Sequence, residues 1–184
     1  PNSSTVKFSI IKLNSTVNIT VGESYIYGTL FNITVVNNTA VNVTINGKQV
    51  NVNADGTLDV DSTTMAAAHY VVIATIYENA KYYGSVATKE FNITKLASHV
   101  NITIDPNSTH VYGDKFAIRV ASDTVCVVTI NGDEYNVTGG VVDVDTTKLP
   151  AGDYTVIASI PENAKYLPNS STVKFSIIKL NSTV

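Results

Sequence analysis

Cysteine occurs once in these 184 residues, at Cys126, so the chain can close no disulfide of its own. Basic residues are also few. Twelve Lys and Arg stand against fifteen Asp and Glu, for a net charge of −3, and they are spread along the whole length. Without a basic patch, nucleic acid and anionic membrane are poor partners. No apolar run approaches the roughly 20 residues a membrane helix needs, so no membrane insertion by this segment is expected. No signal peptide pattern is present, which for an interior window of a longer protein is uninformative. A glycine-rich phosphate loop, a Ser-His-Asp arrangement and a G-x-S-x-G elbow are all missing. No catalytic residue is expected, and the chain reads as a non-enzyme.

What the sequence has instead is repetition. Residues 1–17 return letter for letter at 168–184, an identity that folding does not require. The pattern reads as a window, a little longer than one period, from a tandem array. An older repeat lies inside it at an offset of 83 to 85 residues. Tyr27-Gly28 matches Tyr112-Gly113, Asn46-Gly47 matches Asn131-Gly132, and Glu78–Tyr82 matches Glu162–Tyr166. The expected organisation is a closing strand of a preceding unit over residues 1–12, domain A over 13–95, domain B over 96–179, and the start of the next unit over 180–184.

The local pattern is β throughout. Period-two alternation appears in V-N-I-T-V at 17–21, F-N-I-T-V at 31–35, V-N-V-T-I at 41–45 and Y-T-V-I-A-S-I at 154–160. Asn46-Gly47 and Asn131-Gly132 sit between alternating runs and predict two-residue hairpins. Ala54-Asp55-Gly56 and Gly139-Gly140 mark the next turn. Pro150-Ala151-Gly152-Asp153-Tyr154 resembles a tyrosine corner. Met65–Tyr70 keeps the tyrosine without Pro or Gly and predicts a looser or differently built turn. The fold class is therefore all-β: two tandem immunoglobulin-like β-sandwiches of about seven strands each, arranged end to end. An odd strand number would put entry and exit at opposite ends of each sandwich. The expected result is a rod gaining roughly 35–45 Å per unit. Cys126 alternates in phase with Val128 and Ile130, so it reads as a small buried core residue.

Asn-x-Ser/Thr occurs twelve times, at Asn2, Asn14, Asn18, Asn32, Asn37, Asn42, Asn92, Asn101, Asn107, Asn136, Asn169 and Asn181. With 19 asparagines, chance supplies roughly four. At Asn18, Asn32, Asn42, Asn92 and Asn101 the sequon lies on one strand face and its apolar neighbours on the other. Asparagine is a poor strand former, so its repeated use there calls for a reason, and an attached glycan supplies one. The plainer alternative is a polar face copied by repetition. The twelve are candidate N-glycosylation sites.

Other residues invite chemistry less. Asp59-Val60-Asp61 and Asp143-Val144-Asp145, with Glu78 or Glu162 near them, offer the hard oxygen ligands calcium takes. EF-hand spacing is missing, and Asp61 and Asp145 precede Ser/Thr-rich turns, where capping is the ordinary use. Calcium is the lesser reading, and no other metal or cofactor is expected beyond covalent N-linked glycans. His69, His99 and His110 do not recur between the repeats, which argues against a structural metal. Glu-Asn-Ala-Lys-Tyr reads as a tight connection, with Tyr82 and Tyr166 packing at the sandwich end. A Lys–Asn isopeptide link would suit a surface rod, but Lys95 and Lys179 end strands and have no inward phase beside a buried acid.

The order of Tyr-Gly, the V-T-I-N-G hairpin, D-V-D-T-T-x-L-x-A-G-x-Y-T-V, E-N-A-K-Y and a closing F-x-I-x-K resembles bacterial and archaeal immunoglobulin-like repeat domains. Such domains occur in prokaryotic surface proteins, notably the large adhesin-like proteins of methanogenic archaea. The resemblance implies an extracellular, cell-surface stalk or filament whose units serve as spacers, with adjacent identical repeats as partners and self-assembly possible. The rival reading is an adhesive module recognising glycan or protein through loops at one sandwich end. In donor-strand assembly, a third reading, residues 1–12 of one chain would complete a sandwich in another.

Overall fold

The computed structural model describes residues 1–183 and divides into two compact units, Pro1–Thr94 and a second starting at Lys95. Residue 184, the last of the five expected to open a further unit, lies outside the described residues.

The first unit has eight strands. β1 (Val17–Thr20), β3 (Leu30–Asn37) and β6 (Thr57–Asp61) form an antiparallel three-stranded sheet. β2 (Ser24–Ile26), β8 (Ser85–Thr94), β7 (Ala68–Ile76), β4 (Asn42–Ile45) and β5 (Lys48–Val50) lie in that order in a five-stranded sheet. The opening edge is shared between the sheets, β1 in one and β2 in the other. Its second half runs parallel to the last strand, with Ser24 opposite Asn92 and Ile26 opposite Thr94. This is an immunoglobulin-like sandwich.

The second unit repeats the plan. β9 (Val100–Asp105), β11 (Lys115–Ser122) and β14 (Val141–Asp145) make the smaller sheet. β10 (Thr109–Val111), β16 (Asn169–Ile178), β15 (Gly152–Ile160), β12 (Val127–Ile130) and β13 (Asp133–Tyr135) make the larger one. Among the described residues each unit thus has eight strands where the sequence predicts about seven, because β2 and β10 are three-residue strands split from the first. Strand parity therefore cannot separate entry from exit. Within each unit the parallel pairing of β2 with β8, and of β10 with β16, separates them instead.

The alternating residues build the cores. In the first unit Ile19, Ile33 and Val35 from the small sheet meet Val43, Val72 and Phe91 from the large one, each no more than 2% exposed. Burying such a side chain stabilises by roughly 1.5–3 kcal/mol before chain entropy is subtracted. Both units also carry an aromatic layer. Tyr25 stacks on Phe31 at 3.6 Å, Phe31 meets Phe91 edge-on at 5.4 Å, and Tyr70 stacks on Phe91 at 5.2 Å. In the second unit His110 takes the place of Tyr25, stacking on Phe116 at 3.8 Å, while Phe175 packs between Phe116 and Tyr154. Cys126 is half-buried against this core, less enclosed than its phase predicts, because it precedes β12 instead of lying within it.

Turn chemistry follows the sequence closely. Asn46-Gly47 and Asn131-Gly132 all have positive φ, the left-handed pair a type I′ hairpin requires. Gly56 has φ +85, and a Cβ there would stand 2.8 Å from the Val35 carbonyl oxygen. The Tyr154 hydroxyl donates to the Pro150 carbonyl at 2.5 Å. The Tyr70 hydroxyl makes the same bond to Ala66 at 2.6 Å. The corner of the first unit, expected to be looser or differently built, keeps the same hydroxyl-to-carbonyl bond without Pro or Gly.

Guanidinium unfolding of the full chain checks both features. Gly56→Ala is expected to cost more than about 1 kcal/mol, since it adds a clash to a left-handed φ. Tyr154→Phe is expected to cost about 1 kcal/mol for the corner bond alone. An unchanged unfolding midpoint for Gly56→Ala would contradict the close approach to Val35.

Candidate functional site

The sequon asparagines fall where the pleat dictates. Ile19, Ile33, Val43, Ile93 and Ile102, each following a sequon asparagine in a strand, are between 0% and 6% exposed. Asn18, Asn32, Asn92 and Asn101 are exposed on the outer faces, and Asn42 is half-buried on the outer face of β4. The other seven, Asn2, Asn14, Asn37, Asn107, Asn136, Asn169 and Asn181, are exposed as well. An N-linked sugar attaches at the side-chain nitrogen, so the partner of that atom matters. Asn37 Nδ2 donates to the Thr39 carbonyl at 2.7 Å, and Asn169 Nδ2 donates to the Ser98 carbonyl at 2.6 Å. Asn92 is bound through its oxygen, 2.9 Å from His69 Nδ1.

The paired acids act as turn caps. Asp61 Oδ1 accepts from the backbone N–H of Thr63 at 2.9 Å and from its hydroxyl at 2.6 Å, opening a single 3-10 turn at Ser62–Thr64. Asp145 does the same for Thr147 at 3.0 and 2.7 Å. Hydrogen bonds from the Thr63 hydroxyl and then its N–H hold the Asp61 carboxyl below its usual range, and Thr147 does so for Asp145. The structure does not bring Glu78 to these acids. Tyr27, whose N–H bonds the end of β8, reaches Thr63 beside Asp61, whereas Glu78 lies beyond the far end of β7 with Lys12. Among the described residues no three His, Cys, Asp or Glu side chains gather into a possible metal set. The histidines are dispersed. His69 lies beside Asn92, His99 Nδ1 is 2.8 Å from Asp123 Oδ2, and His110 is buried with Nε2 against the Asn107 carbonyl.

The Glu-Asn-Ala-Lys-Tyr loops hold the entering chain, a role the sequence reading missed. Asn79 Oδ1 accepts from the N–H groups of Lys81 and Tyr82, closing the loop. Leu13 then bonds Lys81 and Tyr83 through its backbone, and Lys12 Nζ reaches Glu78 at 2.6 Å. The second unit repeats every part, with Asn163 closing the loop, Leu96 bonding Lys165 and Leu167, and Lys95 reaching Glu162 at 2.7 Å. The joint recurrence of Lys-Leu and Glu-Asn-Ala-Lys-Tyr in both repeats was the available signal. Tyr82 and Tyr166 contribute backbone to this clasp, each bridging the entering leucine, and their side chains are half-buried. Lys95 is occupied by this exposed ion pair, and Lys179 is exposed.

One open concavity of about 700 Å³ lies in the first unit, lined by Val35–Asn37, Val41–Val43 and Gln49–Gly56. Two sequon asparagines, Asn37 and Asn42, stand in its lining.

No protein-family model and no curated protein matches the chain. Among solved structures it is similar to the fibronectin(III)-like modules of Clostridium thermocellum CbhA, at 12% identity and TM-score 0.39, covering 89% of this chain and 95% of that one. It is similar to the N-terminal eight Ig domains of Down Syndrome Cell Adhesion Molecule, at 12% identity and TM-score 0.41, covering 85% and 23%. A third is SGBP-B of the Bacteroides ovatus mixed-linkage glucan utilization locus, in complex with a mixed-linkage heptasaccharide. The values are 12% identity and TM-score 0.31, covering 85% and 42%. Likenesses at this level assign no activity to the chain.

Two outcomes are expected from this geometry. Asn163→Ala should cost more stability than Glu162→Gln, because it removes two backbone bonds, whereas an exposed ion pair contributes under about 1 kcal/mol. Equal costs in 1 M salt, where the ion pair is screened, would refute that ranking. The acid caps make the second. The threonine hydrogen bonds hold both folded carboxyls below the ordinary value of 3.8. Their contribution is complete above that value and is lost as pH falls through the lower folded value. Denaturant midpoints should therefore hold down to about pH 4.5 and drop below it, with a shallower drop in Asp61→Asn/Asp145→Asn.

Proposed function

We propose that the chain is a non-catalytic structural repeat of a glycosylated cell-surface stalk or extracellular filament, acting as a rigid spacer. The observation that carries this reading is the placement of the sequons. Every one of the twelve stands exposed or half-exposed, and five of the seven in strands are each followed by a buried apolar residue. A strand face can thus hold sugar without disturbing the core beneath it. The identity of residues 1–17 with 168–184 adds a sequence that multiplies units without varying them. The prokaryotic adhesin-like proteins share its motif order, and methanogenic archaea are the proposed source class. Glycans on the outer faces would shield the sheets from proteases and from pairing with neighbouring sheets.

A binding module is the second reading, and the concavity beside Asn37 and Asn42 is what favours it. Sugar at either asparagine would crowd that mouth, which places the spacer reading first.

Glycopeptide mapping of the protein from its native source tests the proposal. Peptides carrying Asn18, Asn32, Asn92 or Asn101 are expected to be heavier than bare polypeptide; if all four run at bare mass, the glycosylated-stalk reading fails.

A further inference from the structure

The same edge of the sandwich is closed differently in the two units. Tyr135 lies on β13 opposite Val128, and the matching place on β5, opposite Val43, holds Val50. Tyr135 packs against the core of its unit. Burial, and then the nearby Tyr135 phenol, push the Tyr154 hydroxyl above its ordinary value, so the two rings sit close together. Valine is too short to make that reach. The first unit accordingly has a groove of about 560 Å³ at this edge, floored by Ile45, Val50, Leu58, Val60, Met65 and Tyr70. The core beneath it is wetter than its counterpart. Ile45, Leu58 and Val60 are 8%, 6% and 6% exposed, against 2%, 2% and 3% for Ile130, Val142 and Val144. Tyr70 is half-buried, whereas Tyr154 is buried.

We propose that this groove of the first unit is a binding site for a single phenolic ring, the group that Tyr135 supplies covalently in the second unit. Such a site lies outside the spacer reading and holds whether or not the sequons carry sugar. The lining fits the class. Aliphatic side chains and the Met65 thioether offer apolar, polarisable contacts to the faces and edge of a ring. The Tyr70 hydroxyl donates to the Ala66 carbonyl at 2.6 Å, so its oxygen is left to accept from the hydroxyl of the ligand. Asp59 and Asp61 outnumber Lys48 in the lining, which favours a neutral ring over a carboxylated one. Concave apolar sites with a few convergent polar groups are where small ligands bind.

Titrating the full chain with p-cresol, the tyrosine side chain alone, tests the site by nuclear magnetic resonance. Met65 is the sole methionine, so its methyl signal is unambiguous. Saturable shifts are expected there and at the Val50 and Tyr70 amides, with half-saturation on the order of 1 mM. Toluene, the same ring without its hydroxyl, is expected to bind at least about threefold more weakly. Val50→Tyr fills the groove covalently and should abolish the shifts at Met65. Tyr135→Val opens the same groove in the second unit and should add saturable shifts at Leu149 and Tyr154. N-acetyltyrosinamide binding beside p-cresol assigns the site to tyrosine residues of a peptide, and p-cresol binding alone assigns it to free phenols; either upholds a phenol site. The site is refuted if p-cresol gives no saturable shift at Met65 up to about 20 mM. It is refuted equally if toluene binds as tightly, if Val50→Tyr leaves binding unchanged, or if a folded Tyr135→Val gains no second site. The two titrations of the unaltered chain decide the matter even where a variant fails to fold.

Discussion

A strand that buries one face must leave the other in water, and this pleat governs most of what the chain displays. Ile33 can be fully enclosed only if Asn32 points outward, and Ile102 encloses with the same consequence for Asn101. A slip of one residue would exchange the two sets, burying asparagine amides and wetting isoleucines. Core packing therefore fixes the direction of the polar side chains, with no separate interaction needed to hold them there. That is why sequence variation between the two units concentrates on the wet faces. Where the first unit carries Asn32 and Thr34 on β3, the second carries Ala117 and Arg119, and Arg119 pairs with Asp105.

Much of the architecture was legible because its signals are local. Asn-Gly turns, period-two runs and the Pro150–Tyr154 corner each lie within ten residues of chain. The misses share a different character. β2 and β10 are three residues long, too short to show a period, and their place is set by pairing with a strand nearly 70 residues away. At Tyr70 the hydroxyl makes the same bond without a neighbouring Pro or Gly, since Ala66 offers the same carbonyl that Pro150 does. Placing Asp61 and Glu78 at opposite ends of a unit required knowing which way each strand runs. The clasp between Lys12 and Glu78 spans 66 positions, and only its recurrence at Lys95 and Glu162 announces it.

The two units also show which substitutions an aromatic layer accepts. Tyr25 and His110 both lie flat on the phenylalanine of the neighbouring sheet, at interplanar angles of 6°. A planar ring is what that position needs, and the polar edge can be satisfied locally. Tyr25 does so through the Gly22 N–H, and His110 through the Asn107 carbonyl. The histidine is thereby explained as packing, in a chain where its lack of recurrence already argued against a metal.

The parallel alignment of β2 with β8 has a consequence for force. When the two ends of a unit are pulled apart, the opening strand is drawn one way and the closing strand the other. The hydrogen bonds between them then lie across the pull and are sheared together, whereas an antiparallel hairpin would unzip one bond at a time. The backbone bridge from Leu13 to Tyr82, just ahead of β8, adds to the same sheared seam.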